Sequence, residues 1–143
     1  MGREAYLFGI NVHKTEFIKL EQFLEKQGFK EVEENIGWKN FELVSEGGIL
    51  EIQFVKEETN FYLRFAIINP DTIVELLGEL FNGLRNMFEV KIYDYEQEKF
   101  IDDLSEVKER LLKKRREYLR DKKIQLIPIR AGHHVFDYLR GKK

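Results

Sequence analysis

Two runs of strict alternation constrain this chain more than any other feature. Over residues 49–55, Leu50, Ile52 and Phe54 point one way and Glu51 and Gln53 the other. Over residues 61–68, Phe61, Leu63, Phe65 and Ile67 share one side, with Tyr62 and Arg64 opposite. A period of two marks a strand with one buried face. The polar stretch from Lys56 to Asn60 is a turn between the runs. Ahead of them, Gly47-Gly48 offers the positive φ values of a tight hairpin. Trp38 to Val44, with Phe41 and Leu43 on one face, reads as its other strand. The three segments predict an antiparallel meander over one core.

The flanking segments extend this plan. Ala5 to Val12 reads as a first strand, without the layout of a signal peptide. A helix is expected from Thr15 as N-cap, with Phe17, Leu20, Phe23 and Leu24 inward and Gly28 ending it. Asn69-Pro70-Asp71 reads as a second helix start: Asn69 as cap, Pro70 in the first turn, Asp71 favoured by the helix dipole. Ile73, Leu77, Leu80, Leu84 and Phe88 supply the stripe. Gly78 and Gly83 each weaken this helix by about 1 kcal/mol relative to Ala, so they mark either close packing or fraying. Glu89 to Tyr95, with Val90 and Ile92 inward, is a further strand. The expected fold class is α+β: a mainly antiparallel sheet in the order β-α-β-β-β-α-β, with two helices on one face. It resembles the split β-α-β plan in outline, which carries no function.

The rest of the chain changes character. Asp103 and Glu106 suggest a capping box for a long helix to about Lys123, with Leu104, Val107, Leu111, Tyr118 and Leu119 on its apolar side. Ile124 to Ile129 reads as a short last strand, and residues 130–143 as a short helix with a basic end. Residues 1–104 carry 11 Lys and Arg against 21 Asp and Glu, whereas residues 105–143 carry 13 against 5. The expectation is one domain over residues 1–143, in which 105–143 is a basic helical arm packed on an acidic body.

Several chemistries find no support. Cysteine is absent, which removes thiolate metal sites, redox pairs and cysteine nucleophiles. No apolar stretch approaches the roughly 20 residues of a membrane span, and a cytoplasmic location is expected. Adjacent His133 and His134 diverge, and His133 with Asp137 gives only two ligands, so neither a metal nor another cofactor is expected. His13 has no serine partner, since Ser45 sits by a hairpin and Ser105 by a helix start. The carboxylates at Glu31-Glu33-Glu34, Glu57-Glu58, Glu96-Glu98 and Asp102-Asp103 lie in expected turns, and no glycine-rich loop opens a helix. No catalytic residue is assigned.

Two surfaces remain. Trp38, Tyr62, Arg64, Tyr93 and Tyr95 are the candidates for an interaction face, the tyrosines pointing away from the apolar core. Lys113-Lys114-Arg115-Arg116, with Arg120 and Lys123, is the basic alternative, suited to phosphates if single-stranded nucleic acid stacked on Tyr62, Tyr93 and Tyr95. If the basic helix covered the tyrosines, they would form a second, smaller core. The leading expectation is a non-catalytic protein-binding module, in one version an immunity or antitoxin-like protein that masks its partner. A nucleic-acid binder comes second and a small-ligand domain or enzyme third, on His13, His133, His134, Asp94 and Tyr95. A second copy of the chain is also an admissible partner.

Overall fold

The computed structural model describes residues 5–13, 15–55, 60–119 and 126–131. Their elements run β1 (Ala5–His13), α1 (Phe17–Lys26), β2 (Lys30–Glu34), β3 (Trp38–Ser45), β4 (Gly48–Val55), β5 (Asn60–Ala66), α2 (Ile73–Met87), β6 (Glu89–Asp94), β7 (Lys99–Ile101) and α3 (Val107–Leu119). The class is α+β. Seven strands form one antiparallel sheet in the spatial order β2-β3-β4-β5-β1-β6-β7. The expected meander is β3-β4-β5, and β1 slots between β5 and β6.

One sheet face carries the main core. Tyr6, Phe8, Ile10 and Val12 of β1 lie in register with Phe65, Leu63 and Phe61 of β5 and with Ile92 and Val90 of β6. Leu20, Phe23 and Leu24 of α1 and Ile73, Leu77, Leu80, Phe81 and Leu84 of α2 join this cluster. Val107 and Leu111 of α3 join it too, and Leu104 reaches α2 beside Gly78. All three helices therefore serve the same face, and α3 does not cover the tyrosines. Helix α2 runs unbroken through both glycines, and a Cβ at Gly83 would lie 2.9 Å from the Phe23 ring. Of the two readings of these glycines, close packing is the one realised there.

Several local expectations change. Helix α1 starts one residue after Glu16, not at a Thr15 cap, and no side chain caps it. Its end follows the sequence: Gly28 takes φ +103°, its N–H donates to Glu25 O, and the Phe29 N–H donates to Leu24 O. Of the glycine pair, only Gly48 has positive φ. Strands β2 and β7 add to the predicted order. Every residue of β2 is exposed and β7 has three residues, so neither shows the alternation that signals a half-buried strand. The capping box does not form: Asp103 accepts the N–H and hydroxyl of Ser105, while Glu106 pairs with Lys99 at 3.1 Å. Residues 126–131 form no strand, and the remainder of the predicted C-terminal strand and helix lies outside the described residues.

Asn69 is the largest departure. It does not cap α2, which begins at Ile73 after Thr72. It is fully buried, and its side chain makes four hydrogen bonds. Its Oδ1 accepts the N–H groups of Ile49 and Ile129 at 3.0 and 3.1 Å. Its Nδ2 donates to the carbonyls of Ala66 and Ile129 at 2.8 and 3.0 Å. Arg115 of α3 reaches the same turn, donating to Ile67 O at 2.5 Å, to Asn69 O and to Asp71.

Each buried polar group left without a partner costs about 1–3 kcal/mol. Asn69→Ala is therefore expected to lower unfolding free energy by about 3–5 kcal/mol, as for the loss of a buried network. Asn69→Asp should be no better, because it sets a carboxylate oxygen against two carbonyls. Urea denaturation followed by circular dichroism measures both.

Candidate functional site

The second sheet face is read most directly along one row of cross-strand neighbours. From one edge to the other the register aligns Glu33, Asn40, Gln53, Tyr62, Gly9, Tyr93 and Phe100, one residue from each of the seven strands. The row is polar on the β2-β3-β4 side and aromatic on the β5-β1-β6-β7 side. Alternation explains its membership from β3 to β7, where each residue flanks one that faces the helices, and Glu33 joins through its pairing with Asn40.

Gly9 is the gap that organises the aromatic half. A Cβ there would lie 3.1 Å from the ring of Tyr95, so that ring rests directly on the β1 backbone. Tyr95 follows β6 and folds back to fill the place of a missing side chain. Its centroid is 4.9 Å from that of Tyr93 and 6.5 Å from that of Tyr62, and Tyr93 lies 5.1 Å from Phe100. Spacings of 4.5–7 Å with tilted or edge-on rings are the favoured aromatic arrangements, worth about 0.5–1.5 kcal/mol per pair beyond area burial. The result is a groove of about 420 Å³ lined by Gly9, Asn11, Tyr62, Lys91, Tyr93 and Phe100 among others. The amide of Asn11 donates to Asn60 Oδ1 at its end. Tyr62 and Tyr93 are half-buried, while Tyr95 and Phe100 are 44% and 64% exposed.

The other interaction candidates fare differently. Trp38 lies on this face at the start of β3, across from Val55, and does not line the groove. Arg64 shares the face but not the surface. It is 1% exposed, and its guanidinium donates to Glu51 Oε2 at 3.2 Å, its direct cross-strand neighbour. The second oxygen of Glu51 accepts the Ala131 N–H at 2.9 Å. Residues 126–131 thus lie against this end of the face, where Ala5, Ala66 and Ala131 form a small apolar cluster. Glu51 and Gln53, expected at an open surface, are buried.

The basic helix is placed away from the aromatic row, since α3 packs with α1 and α2 on the opposite face. Two of its described cations are engaged within the molecule. Arg115 turns inward to the β5–α2 junction, which takes it off the list of phosphate contacts. Lys114 pairs with Glu96 at 2.9 Å, and Arg116 is exposed. Arg120 and Lys123 lie outside the described residues, as do His133 and His134. His13 is exposed at the end of β1, across from Glu89. Ser45 and Ser105 are occupied by their turns. Asp94 is fully buried. It accepts the Tyr6 hydroxyl at 2.6 Å and closes the following turn through the N–H groups of Glu96 and Gln97. No group of three His, Asp or Glu side chains suited to a metal ion occurs among the described residues, and none of their helices is long and apolar enough to cross a membrane.

The groove combines ring faces, the Lys91 ammonium and the amides of Asn11 and Asn60, with no nucleophile beside a base among its described lining residues. Such a set offers packing and stacking surface. Sequence reasoning found the three tyrosines but missed Phe100 and Gly9. Phe100 stands in a strand too short to show a period, and the role of Gly9 needs the register of three strands. No protein-family model, curated protein or solved structure matches the chain.

Burial raises the Tyr95 hydroxyl above the ordinary tyrosine range, helped by the neighbouring Tyr62 and Tyr93. The folded state therefore favours the neutral phenol. That contribution to stability is complete below the unfolded value of about 10 and is lost as pH rises through the higher folded value. Burial and the bond to Asp94 also raise the Tyr6 hydroxyl, so alkaline absorbance titration should show late-ionising phenols of which Tyr95→Phe removes one and leaves that of Tyr6. Gly9→Ala should displace the Tyr95 ring and move its ionisation back toward the ordinary range.

Proposed function

We propose that this chain is a non-catalytic protein-binding module whose contact surface is the aromatic half of the open sheet face. The observation that carries the reading is the Tyr62–Tyr95–Tyr93–Phe100 cluster over Gly9. Clustered, partly exposed aromatic side chains are the residue types that dominate binding energy at protein interfaces. Their ring packing holds them in place before a partner arrives, which lowers the entropy cost of association.

The charge of the body points to the kind of partner. Residues 1–104 carry ten more acidic than basic side chains, 21 against 11. Strand β2 presents Glu31, Glu33 and Glu34 along an exposed edge. A positively charged protein would be steered toward such a body. An immunity or antitoxin-like role, in which the module masks a basic enzyme, is the specific form of this proposal. The nucleic-acid alternative combined the tyrosines with the basic helix, and the two occupy opposite faces.

Affinity purification from the native host at low and moderate salt tests the reading. The expected result is one stoichiometric protein, retained by Arg116→Ala but bound at least about 10-fold more weakly by Tyr95→Ala, as for an interface hot spot. Retention should fall with salt as exposed charges are screened. Recovery of no stoichiometric protein, or equal retention by Tyr95→Ala, would overturn it.

A further inference from the structure

Strand β6 is longer than its outer neighbour. It pairs with β1 from Glu89 to Asp94 but with β7 only from Ile92 to Asp94. Beside Glu89, Val90 and Lys91 the ladder has no strand on its outer side among the described residues.

Backbone geometry shows which groups stand at that vacancy. In an antiparallel ladder the N–H and C=O of alternate residues turn to the same neighbour. The Tyr95 N–H donates to Leu7 O at 3.2 Å, so Tyr95, and with it Tyr93, Lys91 and Glu89, face β1. Ile92 and Val90 face outward. Ile92 is opposite Ile101, the last residue of β7, and Val90 is the next outward rung.

Hollows flank this edge on both sides of the sheet. The tyrosine-side groove reaches it through Lys91, Tyr93 and Phe100. A second hollow, of about 310 Å³, is lined by Arg85, Val90, Ile92, Ile101 and Asp102, and shares Lys91 and Phe100 with the first. A strand laid beside Val90 would direct successive side chains alternately toward the two, at about 3.3 Å of rise per residue. In the second hollow Arg85 donates to Ile101 O at 3.4 Å, Asp102 stands beside the two cations, and the rest of the lining is apolar, so the edge suits extended backbone and apolar side chains more than charge.

From this we infer that the β6 edge at Val90 takes an extended, largely uncharged segment of the protein partner as an added antiparallel strand continuing the line of β7. This rests on the protein-binding reading and names its mode: long-range charge steers the partner, and strand addition docks it.

The test uses the full chain and a synthetic probe, the acetylated and amidated peptide Thr-Val-Tyr-Val-Thr, at about 1 mM, a range suited to weak peptide binding. Amide exchange should slow at Val90 by about 10-fold or more on adding peptide, as expected of a newly protected N–H. Val90→Pro removes that donor and sets a ring in the path of the strand, yet spares pairing with β1, because the N–H it deletes faces outward. Peptide affinity should drop at least about 10-fold in Val90→Pro and stay within about 2-fold in Val90→Thr, which keeps the N–H. Unchanged Val90 exchange in the unsubstituted protein overturns the inference, whatever the folding of the proline variant. A host partner lost by Tyr95→Ala but held by a folded Val90→Pro would overturn strand addition alone and leave the aromatic surface standing.

Discussion

Asn69 ties four parts of the chain together at one buried point. One amide satisfies the end of β5, the start of β4 and both polar groups of Ile129. Its own carbonyl accepts from Arg115, so α3 is fastened to the same point. A buried amide that uses both ends in this way is specific, because any shift of one segment leaves a polar group unpaired in an apolar setting. The junction between β5 and α2 thus fixes the sheet, the third helix and the segment from 126 to 131 relative to one another.

That anchoring divides labour between the two sheet faces. The helix-bearing face takes the large aliphatic and aromatic side chains and three helices. The other face is spared from covering the main core and carries mixed content. At one end it holds the enclosed Arg64–Glu51 pair, at the other the aromatic groove. An ion pair held out of water gives up hydration that its attraction only partly restores, so its value here is geometric. It sets where residues 126–131 can lie, and so where the covered part of the face stops.

Much of this was legible in the residues. The alternation of 49–55 and 61–68, the stripe of α2 and the glycine ending α1 are local signals, and each produced its element. The tyrosines were placed on the correct face for the same reason. What stayed hidden depends on distant partners. Asn69 in an Asn-Pro-Asp string has the local chemistry of a cap, and only its distance from Ile73 and its proximity to Ile129 show otherwise. Arg115 sits in a basic run that looks uniformly solvated, until packing of α3 turns that one member inward. Glu51 and Gln53 alternate like surface residues, although coverage of their face buries them. Strand β2 is invisible to hydrophobic periodicity because backbone pairing and polar side-chain contacts from Glu31 and Glu33 to β3 hold it, with no buried apolar face.

The gap at Gly9 has a consequence for how such a surface changes. The middle of the groove floor is supplied by Tyr95, which belongs to the turn after β6, not to β1. Replacing or re-aiming that single ring remodels the centre of the surface while every strand keeps its register. In the proposed binding role, contact chemistry is in this way uncoupled from architecture: the centre of the surface can change at a position where the sheet itself is not at stake.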